Sequence, residues 1–85
     1  MMDSYLIMCR SLTYAQRAAR TIERTGITAG VVRAPKEVSG EGCGYGVRVS
    51  ERRFGQAMRA LREANVPFRR VYRQQANGKL HEVTV

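Results

Sequence analysis

One order of patterns occurs twice within these 85 residues: a β-type run, then apolar positions at helical spacing, then another β-type run. Ser4 to Cys9 (SYLIMC) is short and continuously apolar, which suits a strand buried on both faces. Ser11 or Thr13 can cap a following helix in which Tyr14, Ala15, Ala18, Ala19 and Ile22 share one face. Arg17, Arg20 and Arg24 cover its other side, and Gly26 supplies a C-cap. Residues 28–33 (TAGVVR) read as a second strand stopped by Pro35.

The second pass begins at Tyr45 to Ser50 (YGVRVS), where Tyr45, Val47 and Val49 alternate with Gly46, Arg48 and Ser50 as in a half-buried strand. Ser50 is placed to cap the next helix, with Glu51 in the turn where the helix dipole favours an acid. Phe54, Ala57, Met58, Leu61 and Ala64 give that helix its apolar stripe, which stops at Val66-Pro67. Phe68 to Gln74 (FRRVYRQ) completes the set as a fourth strand.

Strand, helix, strand, strand, helix, strand is the βαββαβ order of ferredoxin-like domains. The expected fold is therefore α+β: an antiparallel sheet of order 4-1-3-2 with two helices on one face. Residues 1–74 would form this domain and 75–85 a C-terminal hairpin or strand extension. Asn77-Gly78 signals a two-residue hairpin, and Lys79 to Val85 alternates as a strand does. That tail can fold back on the fourth strand or pair with another subunit.

Size and composition narrow the class. A chain this short makes a single small core. No apolar run approaches a membrane span, and the N-terminus lacks the basic segment and long apolar stretch of a signal peptide, so a cytoplasmic location is expected. Two cysteines and one histidine speak against a structural zinc site, and no metal or cofactor is expected. Thirteen arginines and two lysines bring the net charge to +8, which favours acidic or nucleic-acid partners, or reflects base composition alone.

The chemistry-bearing stretch is residues 40–46, GEGCGYG. The expected topology puts the loop from Pro35 to Gly44 at the same end of the sheet as the start of the first helix. Cys43 would then face the rim formed by Arg10 and Ser11. Free amide groups and the positive dipole end at that helix stabilise a thiolate, and Arg10, Arg33 and Lys36 add positive charge. Gly42 and Gly44 leave room around the sulfur. The alternative is an inert small residue in a glycine-rich hairpin loop. Cys9, ending the central strand, reads as a buried structural residue.

The run from Tyr5-Leu6-Ile7 through Thr25-Gly26-Ile27 to Pro35-Lys36-Glu37-Val38-Ser39 and Gly42-Cys43-Gly44 resembles the putative selenium/sulfur carrier protein-like family. The resemblance covers about residues 4–74. Gly40-Glu41-Gly42 makes the approach to the cysteine longer and more glycine-rich than that family's pattern. The resemblance implies a carrier-type domain in which Cys43 holds sulfur or selenium as a persulfide or selenosulfide. Pro35, Lys36, Ser39, Gly42 and Gly44 would form the supporting loop, with Arg10, Ser11 and Arg33 stabilising the anion. Donor and acceptor enzymes would be the partners. No general base or Ser/His/Asp set lies near Cys43 in sequence, which suits a carrier better than an enzyme.

Two other readings stand beside it. The first is a small basic RNA-binding module using Tyr45, Phe68 and Tyr72 with Arg48, Arg69, Arg70 and Arg73 on the sheet, although no RNA-recognition signature is present. The second is a regulatory or structural homodimer. It would bury the sheet side away from the helices, which is expected to be partly apolar because the first strand is apolar on both faces, Tyr5, Ile7 and Cys9 against Leu6 and Met8.

Overall fold

The computed structural model describes residues 3–34 and 44–85. Its elements are β1 (Ser4–Met8), α1 (Leu12–Glu23), β2 (Gly30–Arg33), β3 (Tyr45–Ser50), a single 3-10 turn (Glu51–Arg53), α2 (Phe54–Glu63), β4 (Val71–Gln74) and β5 (Leu80–Val83). All strand pairs are antiparallel, in the spatial order β2-β3-β1-β4-β5. This differs from the expected order 4-1-3-2 in one detail, the addition of β5 outside β4.

β1 lies between β3 and β4, and its side chains enter a buried cluster on each face of the sheet, so its apolar run needs no polar alternation. Ile7 joins Val47, Val49 and Val71 in one buried cluster, which also takes in Ala15, Ala18 and Ile22 of α1 and Ala57, Met58 and Leu61 of α2. Both helices thus pack on the same sheet face. Tyr5 and Phe54 stack beside this core with ring centroids 3.8 Å apart. Leu6, Met8 and Tyr72 occupy the opposite face, with Ala34 and the half-buried Val32 and Leu80.

Helix ends depart from expectation in instructive ways. Of the two candidate caps for α1, Ser11 does the work: its Oγ accepts from Tyr14 N at 3.3 Å. The helix closes at Glu23, with Arg24 as its C-cap, and Gly26 lies beyond at φ 89°, donating from its N to Glu23 O. Ser50 makes no side-chain cap bond, because the 3-10 turn intervenes before α2 begins at Phe54. Asn65, at φ 55°, turns the chain out of α2 ahead of Pro67.

β2 begins at Gly30 and β4 at Val71, both later than the sequence runs predicted. The tail folds onto β4, pairing Gln74 with Leu80. The Asn77-Gly78 pair serves a wider connection than a two-residue turn. Gly78 sits at φ 91°, Asn77 Oδ1 accepts from Lys79 N at 3.0 Å, and Gln75 N donates to Lys79 O at 2.8 Å.

Candidate functional site

The rim where β1 passes into α1 is assembled from three chain segments. Met8, the last residue of β1, pairs with Gly46, and Cys9 N donates to Tyr45 O at 3.1 Å. On the other side of β3, Ala34 N donates to Gly44 O. The two residues that bracket the β2–β3 connection, Ala34 and Gly44, are therefore fastened together at the end of the sheet that carries Cys9 and the Ser11 cap. Close approach makes this possible. A Cβ on Gly46 would lie 2.8 Å from both Ile7 O and Met8 Sδ.

The sequence-predicted residues distribute as follows. Arg10 is exposed directly before the Ser11 cap, and the first turn of α1 carries no acid of its own, so its positive dipole end is not offset by that turn. Arg33 ends β2 opposite Tyr45, with its Nη2 3.5 Å from Tyr45 Oη and its guanidinium carbon 5.8 Å from the ring centroid. This contact holds a positive charge along the rim. Gly44 is half-buried and accepts from Ala34 N. Arg10, Ser11, Arg33 and Gly44 thus belong to one end of the molecule. Pro35, Lys36, Ser39, Gly42 and Cys43 lie outside the described residues.

Tyr45 makes two contacts, of which the alternation along residues 45–50 points only to the first. Its ring does pack against the helix-side cluster, while its hydroxyl reaches Arg33. The only available signal was the Arg33–Tyr45 register, which depends on knowing how β2 pairs with β3. Cys9 is 1% exposed within the core, and its Sγ donates to Ile7 O at 3.7 Å. That placement fits a packing role and sets Cys9 apart from the open part of the rim.

Of the features behind the two rival readings, Arg48, Arg69 and Arg70 are exposed, while the aromatic and apolar side chains are buried or half-buried. Tyr45 and Phe68 pack against the helix-side core and Tyr72 is 9% exposed, which leaves no stacking platform among these three aromatics. The apolar sheet face expected to be partly exposed is buried, with Leu6 at 0% and Met8 at 5%. Arg48 on β3, opposite Leu6, and Gln74 on β4, opposite Ser4, contribute to that cover: their side chains meet at 3.2 Å across the intervening β1. Large exposed apolar side chains among the described residues are Leu12 on α1, Val31 on β2 and Val85 beyond the end of β5. No helix among the described residues is long and apolar enough to cross a membrane.

The model of the family described as "Putative Se/S carrier protein-like" matches residues 4–73. No curated protein and no solved structure gives a significant match. Because the family match takes in every element from β1 to most of β4, the chain belongs to the putative Se/S carrier protein-like family.

Proposed function

We propose that this chain carries sulfur or selenium on Cys43 and passes it between partner enzymes without catalysing the transfer itself. The observation that carries this reading is the family match over residues 4–73. It is supported by the anchoring of Ala34 and Gly44 at the end of the sheet that bears the α1 N-terminus, Arg10 and Arg33.

The chemistry asks little of the carrier beyond an accessible thiolate. In loading, the Cys43 thiolate attacks the outer sulfur of a donor enzyme's persulfide. The new S–S bond forms as the donor's S–S bond breaks, and the donor leaves as a thiolate. Unloading is the same displacement in reverse roles, with an acceptor thiolate attacking the terminal sulfur on Cys43. A selenium cargo follows the same course as a selenosulfide. A persulfide is more acidic than a thiol and stays anionic at neutral pH, so the charge of Arg10, Arg33 and Lys36 and the α1 dipole favour the loaded form.

The test is mass spectrometry of the intact protein after incubation with a cysteine desulfurase and cysteine. The expected result is an adduct with the mass of one sulfur atom, removed by dithiothreitol, absent in Cys43→Ala and retained in Cys9→Ala. Unmodified protein across several donor enzymes, or an adduct that survives Cys43→Ala, overturns the assignment.

A further inference from the structure

We propose that the outward ridge of α1, with the groove between it and the end of α2, is a docking surface for an acidic helix of a partner protein. The proposal deepens the carrier reading by naming the chemistry of its partner, and it rests on that reading for the partner being a protein.

Thr13, Arg17, Arg20 and Arg24 follow one another at intervals of four, three and four residues, so they fall in a single line along α1 and its C-cap. All four are exposed. Gln16 and Thr21 flank the line, and Ala64 and Val66 form the far wall of a groove that these residues share. Val66 is 5% exposed, so that wall offers a small apolar floor rather than another charge. With a rise of about 1.5 Å per residue, Arg17 and Arg24 are separated by roughly 10 Å along the helix.

Two features distinguish this line from an ordinary solvated helix face. First, no ion pair among the described residues offsets its charge. Ion pairs among the described residues engage Arg70 and Arg73, and none reaches Arg17, Arg20 or Arg24, although Glu23 is on the same helix. Like charges at the Arg20–Arg24 spacing repel one another and oppose helix formation, and a partner's carboxylates would remove that cost. Second, the line borders a groove with a small-residue wall, which permits the close approach of another helix. A helix with carboxylates three and four residues apart repeats the spacing of the arginines, and each guanidinium fork can take a carboxylate with two hydrogen bonds. Nucleic acid is the poorer fit. No aromatic lines the groove, and Tyr14, the aromatic of α1, is partly buried against the core, so bases would find nothing to stack on.

The experiment titrates full-length Cys43→Ala protein with an alanine-based helical peptide bearing glutamates at i, i+4 and i+7, at low salt, by calorimetry. Working in the Cys43→Ala background separates docking from cargo loading. Arg17→Ala/Arg20→Ala/Arg24→Ala is expected to weaken binding about tenfold, as for three exposed ion pairs. The charge-matched Arg52→Ala/Arg53→Ala/Arg59→Ala should bind as the parent does. Equal losses in both triple variants, equal binding of a peptide with the glutamates scrambled, or no binding would each overturn the proposal. Tighter binding of an RNA oligonucleotide of matching charge, lost in the α1 variant, would also overturn it by making the ridge a nucleic-acid surface. A sulfur adduct formed without peptide binding defeats the docking proposal alone. Peptide binding without any adduct defeats the carrier reading and leaves the ridge as a protein-binding face.

Discussion

At the scale of single residues, Gly46 sets the geometry of the rim more tightly than any charged group. A methyl group there would press on the backbone oxygen of Ile7 as well as the Met8 side chain, and the backbone cannot swing aside as a side chain can. Gly46→Ala should therefore cost roughly 1–3 kcal/mol, the usual range for overpacking, read as a lowered urea midpoint with an unchanged slope. Since Gly46 is one residue from Tyr45 and two from Gly44, the displacement would also disturb the Arg33–Tyr45 contact. The composition of GEGCGYG suggested freedom around Cys43, and at Gly46 the glycine answers a crowding problem instead. That distinction was not legible in sequence, because the crowding atoms belong to a strand almost forty positions away.

At the scale of elements, period and alternation carried most of the information. The apolar line of α1 and the two-faced β1 are buried as their patterns require. What escaped were junctions, where a small backbone difference changes which donor meets which acceptor. Ser50 looks like a helix cap, yet the 3-10 turn after it removes the geometry its hydroxyl would need. Asn77-Gly78 looks like a tight two-residue hairpin, yet Asp3 Oδ1 accepts from Ala76 N at 3.1 Å and the last backbone bond across the connection joins Gln75 to Lys79, leaving three residues in the turn. The tail also bears on the division of the chain into a carrier unit, residues 1–74, and an extension, 75–85. Val83 and Leu80 pack against opposite clusters, so a chain ending at Gln74 should melt at lower temperature. It should still accept sulfur on Cys43 by mass spectrometry at a temperature where it is folded. Loss of loading by a folded truncated chain would place the tail within the carrier unit.

At the scale of the whole molecule, the two ends of the sheet differ in what holds them. Far from the rim, Arg73 Nη2 lies 2.7 Å from Asp3 Oδ2 and 3.0 Å from Glu51 Oε1, which joins the start of β1, the turn before α2 and the end of β4. The hydrogen bond to Asp3 raises the pKa of the Arg73 guanidinium above its already high ordinary value. On the arginine's side, that contribution is therefore complete throughout neutral pH and is lost only in strong base. The cysteine-bearing connection springs from the other end, about 13 Å away along β1 at the usual rise per strand residue. Replacing residues 35–43 with a glycine-serine segment of equal length should accordingly abolish sulfur loading. The far-ultraviolet circular dichroism and the cooperativity of melting should be preserved. Loss of cooperative melting would show that the connection helps hold the fold. The Asp3–Arg73–Glu51 knot fastens the start of β1, the turn before α2 and the end of β4 at the pole away from the one where residues 35–43 depart, so substitutions in the knot and substitutions in that segment act on opposite ends of the sheet and can be combined independently.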